Sequence, residues 1–272
     1  MDFIKRKLAK IFLAVIICVP VIQGSAYAQG PEDTLANQLG EYLRSDDVQA
    51  EILSALNVPT ARRDIYRAHL DRIFSEPALL LEIARSTRSL TQNMQAEDFE
   101  EIGPIMAEVG FGVSQRAVQQ GLRRLSPMDI RLLLAHEALM LEEISPKRCI
   151  GLMSDTLNAA ETTEMVLAYQ RNLSSEDLRQ YLDLNARAML AHFRDSPLPK
   201  TVSPSQREIA EIQFERALEQ HPHFDLISKI SLRPEAHSDA ENCWAATEAL
   251  WVAIEQDGIA GDWLMTVFAE DV

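Results

Sequence analysis

The sequence has few of the residues that interrupt helices, and few cysteines. Its 272 residues include 10 glycines, 12 prolines and 3 cysteines. No stretch is of low complexity, which excludes a chain built around flexible linkers. The alternation of apolar and polar residues that is typical of half-buried strands is almost absent. Alanine, leucine, glutamate, glutamine and arginine dominate instead, and all five favour helices. The composition therefore predicts an all-α fold.

Basic residues are also in short supply. The chain has 26 lysine and arginine residues against 41 aspartate and glutamate residues, a formal net charge of −15. So acidic a chain argues against nucleic acid and anionic lipid headgroups as partners, because both carry negative charge. The charge is compatible with a basic protein partner, most simply another envelope or exported protein; an acidic protein whose charge serves only solubility is the alternative.

Long hydrophobic runs are missing except near the N-terminus. Residues 11–22 form an apolar stretch of about 12 residues, shorter than the roughly 20 that span a bilayer. Ala26-Tyr27-Ala28 follows it as a cleavage site of small residues. The pattern predicts a signal peptide over residues 1–28, cleaved between Ala28 and Gln29. An uncleaved anchor is the alternative. Four basic residues precede the apolar stretch: Lys5, Arg6, Lys7 and Lys10.

The mature protein would then comprise residues 29–272 and reside in the periplasm or outside the cell. Loss of the four basic residues and Asp2 takes its net charge to about −18. No later stretch is apolar enough for a membrane span. Its length suits one large domain, and we predict a single multi-helix domain, orthogonal or bundle-like, over residues 29–272.

Two cysteines would remain after cleavage, Cys149 and Cys243, in an oxidising compartment. Both fall in the first turns of predicted helices, where a thiol has a lowered pKa and reacts readily. An even number of such thiols predicts a disulfide between Cys149 and Cys243. Two separate buried thiols are the alternative, because free cysteine often packs as a small apolar side chain.

The stretch from Ser126 to Ile144 has the pattern of a central core helix. Ser126 is a favourable N-cap, Pro127 suits the first helical position, and Asp129 adds negative charge at the N-terminus. The remainder is apolar on nearly every side, which predicts burial. Charged residues interrupt it too often for a membrane span.

Helical spacing of apolar residues also extends through the rest of the mature chain. Residues 221–234 are predicted to be its least regular part. Ser203 and Gln206 predict a capping box at the start of one helix. The remaining predicted helices are 34–56 with a break near 45–47, one that opens at 59–60, and 79–90, 104–125, 146–170, 175–194 and 238–256.

One predicted helix, residues 104–125, carries a seam of small residues along one face. Small side chains let a neighbouring helix approach closely. The seam therefore predicts either tight internal packing, which we favour, or a groove for a partner. Its members are Gly103, Ala107, Gly110, Ser114, Ala117 and Gly121.

A short segment resembles a known class of proteins. From Leu173 it reads Leu-Ser-Ser-Glu-Asp-Leu-Arg-Gln-Tyr-Leu, and Ser196-Pro197 follows. This is similar to exported all-helical domains of unknown function that carry a Glu-Leu-Arg…Ser-Pro pattern. The resemblance covers about 25 residues. It implies a periplasmic helical fold and no particular activity.

Motifs of catalysis are largely missing. The chain has no His-Glu-x-x-His zinc motif, no glycine-rich phosphate loop and no Gly-x-Ser-x-Gly elbow. His136-Glu137 in the central helix is most simply a packed or surface pair. The best metal candidates are His221 and His223, with His237 nearby, because neutral imidazoles suit zinc or copper.

The sequence predicts a non-catalytic exported helical protein that binds a ligand or another protein, for example a partner-sequestering or immunity-type protein. No cofactor is expected. One rival hypothesis is a metal-dependent hydrolase with its site near His221, His223 and His237. Another is a structural component of the envelope.

Overall fold

The computed structural model describes residues 32–91, 102–154, 156–195 and 197–271. Within these ranges the chain forms α-helices and short 3-10 turns and no strand, so the all-α prediction is confirmed. The predicted signal peptide and its cleavage site at Ala28 and Gln29 lie outside the described residues. None of the helices in these ranges is long and apolar enough to span a bilayer.

Thirteen α-helices follow one another through the described ranges, numbered here in chain order. Their bounds are α1 Glu32–Leu43, α2 Asp46–Ala55, α3 Arg63–Phe74, α4 Pro77–Thr91, α5 Ile102–Leu122, α6 Pro127–Glu143, α7 Pro146–Met153, α8 Ala159–Asn172, α9 Ser175–Phe193, α10 Pro204–Glu219, α11 Phe224–Leu232, α12 Asp239–Ile254 and α13 Gly258–Asp271.

Serine caps determine where several helices begin. The Ser126 hydroxyl accepts the Asp129 N–H at the start of α6, and Ser174 does the same for Asp177 at α9. The predicted capping box at α10 forms, because Ser203 and Gln206 exchange side-chain to backbone hydrogen bonds. Each cap satisfies a backbone N–H that would otherwise lack a partner inside the helix.

The helices group into two compact units. The C-terminal unit comprises the described residues of 122–172 and 197–272. The N-terminal unit comprises those of 14–121 together with 173–196, so α9 belongs to it. Whether residues 29–272 fold as one domain stays a prediction.

The central helix of the C-terminal unit is α6, as its sequence pattern predicts. It packs against α12, α13 and α8. Its buried residues are Ile130, Leu133, Leu134, His136, Glu137, Ala138, Met140 and Leu141. Burial on successive turns and on neighbouring faces explains why the helix is apolar almost all round.

In the N-terminal unit, α1 packs on α4 and α3 packs on α9. The Arg62 guanidinium donates to the Leu173 carbonyl at 2.6 Å, next to the start of α9. The Arg194 Nε lies 2.9 Å from a carboxylate oxygen of Glu76, which is buried. These contacts attach α9 to the earlier helices, more than 100 residues away in the chain.

The small-residue seam lies inside the N-terminal unit. Its four members with described side-chain positions, Gly110, Ser114, Ala117 and Gly121, are all buried. A Cβ atom added at Gly121 would lie 1.8 Å from the carbonyl oxygen of Ala188 on α9. Such an approach leaves room for glycine alone, so the seam at this point provides internal packing.

Two predictions about helix boundaries are wrong. The predicted helix 146–170 is two helices, because α8 has its own start: the Asn158 carbonyl side chain accepts the Glu161 N–H at 2.9 Å. Glu161 returns a bond to the Asn158 N–H at 3.1 Å. Residues 221–234, predicted to be irregular, contain α11, which buries Ile227 and Ile230.

Candidate functional site

The predicted metal residues are engaged with other protein groups. His221 Nδ1 accepts the backbone N–H of His223 at 3.3 Å, and its Nε2 lies 3.2 Å from a carboxylate oxygen of Glu248. The His223 ring packs against Trp244, with 5.6 Å between ring centroids. Both ring nitrogens of His221 thus already have protein partners.

His237 contacts a carboxylate that has another task. Its Nδ1 lies 3.4 Å from Glu241, the carboxylate that accepts hydrogen bonds from the Ser238 N–H and hydroxyl at the start of α12. These bonds lower the pKa of Glu241 to about 2. In the described ranges, no group of three or more His, Cys, Asp or Glu side chains is arranged to hold a metal ion.

The cysteine pair joins two helices of the C-terminal unit. Cys149 on α7 and Cys243 on α12 have Sγ atoms 1.96 Å apart and Cα atoms 5.9 Å apart, at disulfide-bonding distance. Both residues are buried. A bond between them would close a loop across 94 residues of sequence.

A buried polar pair lies near the middle of α6. His136 Nδ1 and the hydroxyl of Tyr169, on α8, are 2.7 Å apart and form a hydrogen bond. His136 is 7% exposed and Tyr169 2% exposed. The neighbouring Glu137 is also buried. His136 is therefore a packed histidine with a structural partner, as the simplest interpretation of the sequence expects.

A cleft of about 370 Å³ lies between α3 and α9 of the N-terminal unit. Its lining residues recur at intervals of three and four along each helix, so they share one face of each. They are Asp64, Ile65, Ala68, His69 and Arg72 from α3, and Arg179, Leu182 and Asp183 from α9.

His69 is the buried polar side chain of this lining, with 7% of its surface exposed. Among the residues that the structure describes, its Nε2 atom has no hydrogen-bond partner and no contact with solvent. Buried polar atoms in proteins are nearly always hydrogen-bonded, and leaving one unsatisfied costs about 1–3 kcal/mol. This nitrogen is therefore enclosed by protein atoms, and the imidazole forms a hydrogen bond with the backbone of Leu182.

The His69 ring is neutral at neutral pH. Burial, the largest cause, and the nearby Arg72 guanidinium together lower the pKa of His69 from 6.5 to about 4. A hydrogen bond with the Leu182 backbone and the Asp183 carboxylate act in the opposite direction, more weakly. A neutral imidazole can donate or accept one hydrogen bond at Nε2, depending on its tautomer.

Charged groups surround the apolar part of the cleft. Arg72 bonds to Asp183, and the Arg187 Nε lies 2.9 Å from the same carboxylate. Asp64 stands in the first turn of α3, where the helix N-terminus favours negative charge. Arg179 is exposed, and its Nη1 lies 3.4 Å from the backbone oxygen of Ser175.

This cleft is not among the sites predicted from the sequence. His69 lies on the apolar face of α3, four residues after Ile65. A polar residue on such a face is the one local feature of the sequence that points to the cleft. The opposite wall comes from α9, which follows more than 100 residues later. No short sequence motif indicates that α3 and α9 pack together.

Comparisons with known proteins add no relative. No protein-family model matches the chain, and no curated protein or solved structure matches it either.

Proposed function

We propose that this protein is an exported, non-catalytic binding protein, and that its ligand binds in the cleft between α3 and α9. The observation that carries the proposal is the cleft itself, whose lining combines apolar residues with four charged side chains, Asp64, Arg72, Arg179 and Asp183.

The size and walls of the cleft suit a small molecule. Ligand sites usually enclose about 300–1,000 Å³ and combine apolar walls with a few polar groups. This cleft, at about 370 Å³, falls at the small end of that range. Ile65, Ala68 and Leu182 are its apolar residues, and the charged side chains are the polar groups that would fix a ligand's orientation.

The chemistry of the lining favours binding over catalysis. The eight lining residues include no serine, threonine or cysteine that would serve as a nucleophile. A histidine with a pKa of about 4 is also a weak general base, since efficient bases have pKa values near the working pH. No contact in the described ranges favours the rival hypotheses of a metal-dependent hydrolase or a structural envelope component.

Export rests on two independent features. The N-terminal pattern of basic residues, a short apolar stretch and Ala26-Tyr27-Ala28 is that of a cleaved signal peptide. The cysteine pair at disulfide-bonding distance is compatible with an oxidising compartment.

A thermal-shift screen of the mature protein tests the binding role. The panel should contain small amides, sugars, amines, carboxylates and phosphate esters, and each compound should also be tested on Ala68→Phe, which places a ring at an exposed position of the lining and reduces the volume of the cleft. We expect at least one class to raise the melting temperature of the wild type and not that of the variant, because a ligand stabilises the state it binds. A panel without any effect, or with equal effects on both proteins, would contradict the proposal.

A further inference from the structure

The outward face of α10, in the C-terminal unit, carries apolar side chains where water favours polar ones. The opposite face of this helix packs against α13 and α12 and buries Ala210, Phe214 and Leu218. On the outward face, Ile209 and Ile212 are 47% and 40% exposed. Among the described residues, they are the only two exposed large hydrophobic side chains within one turn of the same helix. A single exposed apolar residue is normal on a protein surface, whereas an adjoining pair indicates a contact surface.

Two opposite charges flank Ile212 on this face, at equal distances along the helix. Glu208 lies four residues before Ile212 and Arg216 four residues after it, and both side chains are exposed. Four residues turn an α-helix about 40° beyond one full turn, so the three side chains project to the same side. Within the described ranges, neither Glu208 nor Arg216 has an ion pair or a side-chain hydrogen bond. Both charges are therefore available to a partner.

This order of residues is complementary to itself. A two-fold axis that passes beside Ile212 would place a second α10 antiparallel to the first. Under that rotation the positions four residues before and four residues after Ile212 exchange, so Glu208 of each copy comes level with Arg216 of the other. The two Ile212 side chains meet at the axis, with Ile209 of each copy beside them. Apolar contact at the centre and opposite charges at both ends result from the same register.

We infer that this face of α10 binds the same face of a second copy of the chain, through the isoleucines and two Glu208–Arg216 ion pairs. The symmetry of the charges is the reason to assign a second copy. A different protein would need its own apolar centre with the same order of charges, whereas a second copy has both. The inference does not depend on the cleft between α3 and α9, which belongs to the other unit.

The acidity of the chain determines the conditions under which this contact forms. Two mature chains with a net charge of about −18 each repel one another at low salt. At about 0.15 M salt, exposed charges more than about 8 Å apart are largely screened, whereas pairs in contact at an interface are screened less. One pair of helices buries less surface than the roughly 1,200–2,000 Å² of a stable interface. We therefore expect a weak dimer, with a Kd of about 0.1 mM.

Sedimentation equilibrium of the mature protein tests the inference, at about 0.15 M salt and at protein concentrations up to about 1 mM. Two charge variants, Arg216→Glu and Glu208→Arg, are compared with the double exchange Glu208→Arg/Arg216→Glu, which has the net charge of the wild type. Ile212→Glu is compared with the matched control Ile259→Glu. Ile259 is 71% exposed on α13 of the same unit and lies outside this face. Far-UV circular dichroism checks that each variant keeps the helix content of the wild type.

We expect the wild type and Ile259→Glu to show the same equilibrium between monomer and dimer. Ile212→Glu should remain monomeric, because it brings two carboxylates together at the axis. Arg216→Glu and Glu208→Arg should each raise the Kd by about tenfold, because like charges then face each other twice. These two substitutions change the net charge in opposite directions, so a loss in both does not come from overall repulsion. The double exchange should restore the wild-type Kd, because each pair forms again with its charges reversed.

Three results would overturn the inference. The first is a wild type that remains monomeric at about 1 mM. The second is a dimer that Ile212→Glu leaves intact, or that Ile259→Glu weakens as much as Ile212→Glu does. The third is a double exchange as weak as the single charge variants, because Glu208 and Arg216 would then not face each other across the contact.

Discussion

Each unit of this protein buries a histidine on a helix, and the two are buried to the same degree. His136 in the C-terminal unit and His69 in the N-terminal unit are each 7% exposed. His136 forms a 2.7 Å hydrogen bond with the Tyr169 hydroxyl. The Nε2 of His69 has no such partner within the described residues and belongs to a side chain that lines a cleft. The two rings are thus equally buried but have different partners, a tyrosine hydroxyl for His136 and the Leu182 backbone for His69, whose Nε2 is left unsatisfied.

The unsatisfied Nε2 of His69 has a cost in stability. An unsatisfied buried polar atom costs about 1–3 kcal/mol, a considerable share of the 5–15 kcal/mol that stabilises a typical protein. A leucine or a phenylalanine would avoid that cost. The hydrogen bond between the His69 ring and the Leu182 backbone offsets part of it.

The largest expected effect is on the stability of the C-terminal unit, in which two cysteines lie at disulfide-bonding distance. A bond between Cys149 and Cys243 restricts the unfolded chain across a separation of 94 residues. Loop-closure entropy then predicts that reduction lowers the free energy of unfolding by about 4–5 kcal/mol. Urea denaturation with and without a reductant measures the change, and the double variant Cys149→Ser/Cys243→Ser should not respond to the reductant.

Thiol titration of the unreduced, denatured protein provides the complementary check. Two free thiols per mature chain would show that the pair is reduced, and the contrast between the units would then rest on hydrogen bonding alone.

The next effect tests the neutral state of His69. Its pKa is 6.5 in the unfolded chain and about 4 when buried, so its contribution to stability is complete above pH 6.5 and disappears as the pH falls toward 4. Between pH 7.5 and pH 4 the wild type should lose about 3 kcal/mol relative to His69→Leu. Denaturation of both proteins at the two pH values measures this, and an unchanged difference would mean that the ring is not held neutral.

A smaller effect tests the packing of the N-terminal unit. Gly121→Ala places a methyl group 1.8 Å from the Ala188 carbonyl oxygen. Because the carbonyl belongs to the backbone of α9 and the methyl group is fixed to the backbone of α5, we expect the free energy of unfolding to fall by about 2–3 kcal/mol. Gly112→Ala on the same helix is the control, since nothing lies within 4 Å of the added atom. It should gain about 1 kcal/mol from helix propensity. Equal effects of the two substitutions would contradict the close approach of α5 and α9.

Much of the fold could be predicted from local chemistry. The starts of α6, α10 and α12 follow from serine caps, and the apolar pattern of 126–144 predicts burial of the central helix. The pairing of Cys149 and Cys243 was predicted from the expected oxidising compartment and the even number of cysteines in the mature chain, without any knowledge of the fold. The seam at Gly121 was expected to pack internally, although the residue it meets, Ala188, was not predicted.

The errors arise where local signals are weak or where contacts are distant. α7 and α8 are separate helices because Asn158 caps the start of α8. The helical spacing of apolar residues continues across this point, so the sequence predicts a single helix. α11 lies in a segment whose prolines and histidines led to the prediction of an irregular backbone. The cleft is assembled from α3 and α9, so its existence depends on a tertiary contact between residues about 110 positions apart. No pattern within α3 alone distinguishes His69 from a satisfied core histidine.

The most direct test of the account compares the two buried histidines in one experiment. His69→Leu and His136→Leu should be unfolded in urea at pH 7.5, and their free energies of unfolding compared with that of the wild type. We expect His69→Leu to be more stable by about 1 kcal/mol, because it removes an unsatisfied polar group, and His136→Leu to be less stable by about 1–3 kcal/mol, because it removes the bond to Tyr169. Opposite signs would support an unsatisfied Nε2 in His69 and a satisfied ring in His136. A loss of similar size in both variants would show that His69 stabilises the fold as His136 does, and would contradict the difference between the two histidines.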